Sequence, residues 1–346
     1  MIDLRSDTLT LPTEEMRKAI YAVELGDDGR IDDQGQGEDP TVNMLQRRAA
    51  EMFGKEDALL ISSGTMGNWV SLLSYCEPGD KVIVGENSHI YQTERTGFDP
   101  RFGGAVPSIV AYDAYGRIQL NSLTAEIDKG GIALLCLENT NNFCGGTVSS
   151  KTEMRQYVDA AHGKGVPVHL DGARIFNAAI AQKADVKSLT EGVDSIMFCL
   201  SKGLSCPIGS VVVGTRDFIR EARKNRRSIG GQMRQAGIAA AAGIVALDGM
   251  IERMEEDHIN ARRLAEFLME VKKVSLNLNS VQTNMVRLDI SATGMTASQF
   301  TQELTRKGVK LQPGKESFVR CVIYRGISAR DVENAARIIE DYCRDL

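Results

Sequence analysis

Through the middle of the chain, short apolar runs rich in β-branched residues alternate with segments whose apolar positions recur every three to four residues. Ala58–Ile61, Lys81–Val84, Ile132–Leu137, Val166–Leu170, Ser195–Cys199 and Ser210–Val213 read as strands. The helical segments between them carry their own end signals. One opens at Asp39 as N-cap with Pro40 in the first helical position. It presents Val42, Leu45, Ala49, Met52 and Phe53 on one face and stops at Gly54. Strand and helix in strict alternation predict βαβ units and a mostly parallel sheet.

After the Ala- and Gly-rich stretch Ala239–Gly243 the pattern changes. A long charged helical pattern follows, with Met250, Ile251, Met254, Ala261, Ala265 and Leu268 at helical spacing. Met285–Ile290 alternates as a half-exposed strand does, and Phe318–Tyr324 reads as another. Thr296 with Gln299 forms a capping box opening a helix that ends at Gly308. Ser328 with Asp331 opens a last helix carrying Val332, Ala335, Ile339 and Tyr342. The expectation is an α/β domain over residues 1–247, then a linking helix and a small α+β domain over residues 248–346.

Composition narrows the classes without altering this picture. With 42% hydrophobic and 25% charged residues the chain reads as globular and neither disordered nor fibrous. A net charge of −5, with no basic stripe, argues against nucleic acid as a partner. Apolar stretches such as Ile132–Leu137 and Ile238–Leu247 are too short to span a bilayer, and the first residues lack a signal peptide's apolar core. Seven cysteines without regular spacing suit a reducing cytoplasm, with Cys136 and Cys199 as small core residues.

Candidate chemistry gathers at strand ends. Lys202 follows the strand ending at Cys199, and Asp171 follows Val166–Leu170. Both therefore sit at the carboxyl edge, where open parallel sheets bind ligands. An acid there can pair with a protonated pyridine nitrogen, making the ring a stronger electron sink. A lysine can hold an aldehyde carbon as a Schiff base, so the pair suits pyridoxal 5'-phosphate (PLP). Ser62–Asn68, ahead of the helical run Trp69–Tyr75, is rich in small residues, as backbone N–H groups and a hydroxyl closing on a phosphate require. His89 lies past the strand Lys81–Val84, where an imidazole could stack on the ring or shuttle a proton. His169 reads as a hydrogen-bonded core residue, and His162 and His258 as surface residues. No metal-ligand motif is present, so no catalytic metal is expected.

In this order the motifs resemble the L-threonine aldolases of PLP fold-type I. The resemblance runs from Leu4-Arg-Ser-Asp-Thr8 through Gly37-Glu-Asp-Pro-Thr41, Ser63-Gly-Thr-Met66, Leu137-Glu-Asn-Thr140 and His169-Leu-Asp-Gly-Ala-Arg174. It continues through Phe198-Cys-Leu-Ser-Lys-Gly203 and Met233-Arg-Gln-Ala-Gly237, and so covers nearly the whole chain. It implies Lys202 as the Schiff-base lysine, Asp171 as partner of the pyridine nitrogen, and His89 as the stacking histidine, with Glu94 beside it. Gly64 and Thr65 match the phosphate loop; Arg227 and Arg234 match basic residues that reach a phosphate across a subunit boundary. Ser6, Arg174 and Arg320 match the groups that hold the substrate carboxylate. The implied enzyme is a homotetramer, a dimer of dimers with composite sites, cleaving a β-hydroxy-α-amino acid to glycine and an aldehyde.

Three departures from the family pattern fall on the aldehyde side of the pocket. Asn141 replaces a histidine that is a usual candidate for the β-hydroxyl proton, and a neutral amide cannot act as a base near pH 7. Phe143 stands where arginine is common. A longer loop around residues 29–36, with Gln36 nearest the place of a tyrosine, replaces the family's short one. Another PLP reaction (β-elimination or transamination) and a non-catalytic PLP-binding role stay open at this point.

Overall fold

The computed structural model describes residues 1–33 and 35–346. Gln34, within the longer loop just mentioned, lies outside the described residues. Among the described residues twelve strands run in chain order: β1 (Ile2–Asp3), β2 (Asp57–Ile61), β3 (Lys81–Gly85), β4 (Val106–Val110), β5 (Ile132–Glu138), β6 (Val168–Asp171), β7 (Ser195–Cys199), β8 (Ser210–Gly214), β9 (Met285–Asp289), β10 (Val309–Lys310), β11 (Gln312–Pro313) and β12 (Phe318–Val322). The helices are α1 (Glu14–Tyr21), α2 (Pro40–Phe53), α3 (Gly64–Tyr75), α4 (Leu120–Asp128), α5 (Lys151–His162), α6 (Ile175–Gln182), α7 (Val186–Leu189), α8 (Arg216–Ser228), α9 (Gly237–Gly249), α10 (Met254–Met269), α11 (Ala297–Arg306) and α12 (Ala329–Arg344).

The large sheet has the order β2-β8-β7-β6-β5-β3-β4. Its pairings are parallel from β7 to β4, and β8 runs antiparallel between β2 and β7. The ends of β2, β3, β5, β6 and β7 therefore open at one edge. β6, β7 and β8 are buried along their whole length, which explains the apolar runs Ile196–Cys199 of β7 and Val211–Val213 of β8. Phe53 of α2 stacks on Phe198 of β7, with Phe176 set edge-on to both, at the centre of the main core. β4 escapes the periodicity because Pro107 interrupts an edge strand with exposed Val106 and Ile109.

A second core gathers on the sheet β11-β12-β9 with α10, α11 and α12. In one respect it departs from the expected division of the chain. Residues 1–4 were placed with the large domain, yet β1 pairs with β10 and Leu4 is buried in the second core. The long charged helix forms as α10 but starts at Met254, so Met250 and Ile251 lie in the turn that joins it to α9. His258, expected at the surface, is half-buried: Asn177 Nδ2 donates to its Nε2 at 3.1 Å, and burial takes its pKa down to about 4. Among the described residues, no helix is long and apolar enough to cross a membrane.

Candidate active site

The end of β2 leads into α3 with no intervening run. Gly64 and Thr65 are the first residues of the helix, not a loop ahead of Trp69. Ser63 caps it, its Oγ accepting from Met66 N at 3.2 Å. The N–H groups of the first turn have no carbonyl a turn back to receive them, so they face outward as anion donors. Packing here is close: a Cβ on Gly64 would meet Cys199 Sγ, at the end of β7, at 2.9 Å.

One turn into α3, Asn68 lies beneath this opening, fully buried. Its Nδ2 donates to Asp171 Oδ2 at 2.9 Å and to Glu94 Oε2 at 3.0 Å. Those two carboxylates fix the amide's orientation, so Oδ1 must accept from His169 Nε2, 3.1 Å away. His169 Nδ1 is then left to accept from Ser195 Oγ at 2.9 Å. Burial drives the His169 pKa down to about 4, so this chain of polar groups is neutral at the histidine. His169 occupies the hydrogen-bonded core position expected of it.

His89 precedes a single π-type turn, Ile90–Glu94, that brings Glu94 back against it. Its Nδ1 lies 3.0 Å from Glu94 Oε1, and Thr65 Oγ1 donates to the same oxygen at 3.3 Å. Burial works against a charged imidazole, but the Glu94 bond and the charges of Asp171, Glu94 and Glu138 outweigh it; the ring is held above its ordinary pKa. Glu138, at the end of β5, accepts from the backbone N–H groups of His89 and Asn142, both at 2.8 Å. Burial, and then the charge of Asp171, push its pKa up to about 7.

Beyond β7, Lys202 sits half-buried with its carbonyl accepting from Thr10 Oγ1 and Ser205 N. Its charge acts on Asp7, which forms a buried two-bond ion pair with Arg174 at 2.6 and 2.7 Å. Burial opposes ionisation of Asp7, yet Arg174 holds its carboxyl below the usual range. Ser6 caps the short turn that carries Asp7, its Oγ accepting from Thr8 N and Thr8 Oγ1. Arg320 of β12 and Arg174 both donate to Asn142 Oδ1, at 2.8 and 3.3 Å. Burial and then the charge of Arg174 pull the Arg320 pKa down to about 10, and its buried Nε has no acceptor. Such a donor set suits a carboxylate.

The structure differs from expectation at Asn141. Its buried amide is spent on Gly116 O at 3.3 Å and Cys144 N at 2.9 Å, behind the pocket wall. Asn142 and Phe143 line the cavity instead. Arg227 and Arg234 are exposed and stand away from this chain's own guanidinium pair. Arg234 pairs with Asp27 at 3.0 Å, and Arg227 borders a separate cavity of about 650 Å3 under the 29–36 loop. The sequence motifs contain Asp7, Asn68 and Glu138 without marking a role for them, and Asn142 lies just past the motif that ends at Thr140. Asn68 had a signal, since it stands four residues past Gly64 and shares its helix face.

Asp171, Lys202, the α3 terminus and an imidazole facing the same space fit a phosphorylated pyridine aldehyde. His89, Glu94 and Asp171 also bring ligand atoms within 4.8 Å of one another, a metal's reach. Asn68 and the His89–Glu94 contact already engage that set.

Residues 3–291 match the family model described as beta-eliminating lyase. The chain is 39% identical over 340 residues to low-specificity L-threonine aldolase 1 of Arabidopsis thaliana, covering 96% of this chain and 93% of that protein. It is 43% identical over 275 residues to the low specificity L-threonine aldolase of Escherichia coli K12, covering 78% and 80%. In fold it is similar to a Leishmania major threonine aldolase, with a TM-score of 0.82, 15% identity and coverage of 99% and 100%. A putative L-allo-threonine aldolase from Listeria monocytogenes superposes with a TM-score of 0.77, 20% identity and coverage of 98% and 96%.

Proposed function

Because the chain belongs to the beta-eliminating lyase family, we propose that it is a PLP-dependent aldehyde-lyase cleaving a β-hydroxy-α-amino acid, threonine or an analogue, to glycine and an aldehyde. The observation that carries this reading is the placing of Arg174 and Arg320 around one oxygen, Asn142 Oδ1, beside the edge that holds Asp171 and Lys202.

When bound, PLP supplies an electron sink for the pair left on Cα once the Cα–Cβ bond breaks. The chain's own residues do the rest. Lys202 would hold the aldehyde carbon, Asp171 the ring nitrogen, and Gly64 and Thr65 the phosphate. Arg174 and Arg320 grip the substrate carboxylate, fixing the rotation about the bond to Cα that decides which bond is cleaved. With Asn141 turned away, His89 is the imidazole on the cavity wall able to take the β-hydroxyl proton, its Nδ1 anchored by Glu94.

Arg227, Arg234 and a dimer-based tetramer belong to the same proposal. α1 packs on α9, and Tyr21 of α1 and Ile238 of α9 are exposed, as is Leu25, apolar side chains that a second copy would cover. Seven unpaired cysteines suit a cytoplasmic enzyme.

The test is glycine and acetaldehyde formation from threonine by PLP-loaded protein, with its visible cofactor absorbance. Lys202→Ala is expected to abolish both. Protein that stays colourless with PLP, or a fully active Lys202→Ala variant, refutes the reading.

A further inference from the structure

Beside the guanidinium pair opens a cavity of about 340 Å3 whose lining includes His89, Asn142, Arg287, Lys315, Phe318 and Arg320. Among the described residues no carboxylate lines it. Arg287 and Arg320 are direct cross-strand partners in the antiparallel pair β9–β12. Like charges so placed destabilise a sheet unless something else requires them. The alternate positions of these strands, Val286, Leu288, Val319 and Cys321, fill the second core, so both arginines stand on the opposite face.

Arg287 is held there. Its guanidinium carbon lies 3.6 Å from the Phe318 ring centroid. The acid two residues along its strand, Asp289, is engaged by Ser291 N and Ser317 Oγ. Among the described residues, Lys315 Nζ donates to a neutral oxygen, Gln92 Oε1, at 3.3 Å and pairs with no carboxylate. A threonine-like substrate brings one carboxylate, and Arg174 and Arg320 suffice for it. Arg287 and Lys315 remain as surplus positive charge on the side-chain half of the cavity.

We propose that the enzyme selects β-hydroxy-α-amino acids bearing a second carboxylate on the side chain, which Arg287 binds. This rests on the aldehyde-lyase reading. For 3-hydroxyaspartate, the smallest such acid, the hydroxyl loses its proton and the Cα–Cβ bond breaks. The electron pair goes to Cα, which is protonated to give glycine, and Cβ leaves as the aldehyde carbon of glyoxylate.

PLP-loaded protein is assayed on 3-hydroxyaspartate and threonine. The expected kcat/KM is higher for 3-hydroxyaspartate. Arg287→Gln should lower the ratio of the two by roughly 10- to 100-fold, through KM, as loss of a charge-assisted hydrogen bond predicts. Arg287→Lys should keep part of the preference. Succinate should inhibit threonine cleavage more strongly than propionate, and the excess should vanish in Arg287→Gln. If Arg287→Gln does not fold, the wild-type inhibitor comparison and Arg287→Lys decide by the same criteria. Threonine cleavage with no preference for 3-hydroxyaspartate, or a ratio unmoved by Arg287→Gln, overturns the proposal and leaves the aldehyde-lyase reading intact. No glycine from either substrate overturns both.

Discussion

Asn68 sets the geometry of the Asp171 carboxylate through three bonds in a buried site, two given to Asp171 and Glu94 and one taken from His169. Asn68→Ala would strip all three and leave a buried imidazole N–H unpaired, at a cost of about 1–3 kcal/mol. Weaker PLP binding in an absorbance titration and a lower melting temperature are expected; unchanged values for both would show that Asp171 needs no such support. Glu94 raises the His89 pKa, so the imidazole loses its proton only above its ordinary value. If His89 is the base, kcat/KM rises with pH through that ionisation. Glu94→Gln should move the rise to lower pH, and an unmoved pH profile would assign the base elsewhere. Glu138 behaves oppositely to a salt-bridged acid. Its folded pKa of about 7 lies above its unfolded one, so its stabilising contribution is full below the unfolded pKa and is lost as pH rises through about 7. Wild-type protein should therefore lose stability relative to Glu138→Gln between pH 5 and pH 8, as melting temperatures taken across that range would show.

Element boundaries were legible where a cap has one chemical solution. Asp39, Pro40 and left-handed Gly54 bound α2 as read, and the capping boxes at Thr296–Gln299 and Ser328–Asp331 form as spaced. The positions of Asp171 and Lys202 were legible for a similar reason, since Asp171 is the last residue of one buried strand and Lys202 lies three residues past another. The α3 start was not legible: Gly64 lowers helix propensity, and only packing against Cys199 and Met197 selects it. The side-chain direction of Asn141 was equally hidden, because its partners Gly116 and Cys144 are set by the tertiary course of the chain. The α3 terminus gives a graded test. Ser63→Ala removes one cap and should cost about 1 kcal/mol. Gly64→Ala, with a Cβ at 2.9 Å from Cys199 Sγ, should weaken PLP binding more than stability. Equal binding by both variants would separate this helix end from the phosphate.

At the scale of the whole molecule, the two cores meet around charge. Asp7 from the amino-terminal segment, Arg174 from the large sheet's edge and Arg320 from the second core converge, so neither core alone holds the proposed carboxylate grip. The proposed composite site makes a further prediction: Lys202→Ala and Arg234→Ala chains, each impaired, should regain activity when refolded together, because a mixed dimer would restore one intact site. Absence of complementation would confine the site to one chain. The pairing of β1 with β10 also has a temporal consequence. Ile2 leaves the ribosome well before its partner Val309, which follows roughly 300 residues later, about 15–60 s at ordinary synthesis rates. Throughout that interval Leu4 has no core to enter, and the newborn segment around it must remain soluble, uncleaved and unclaimed by its neighbours on the polysome.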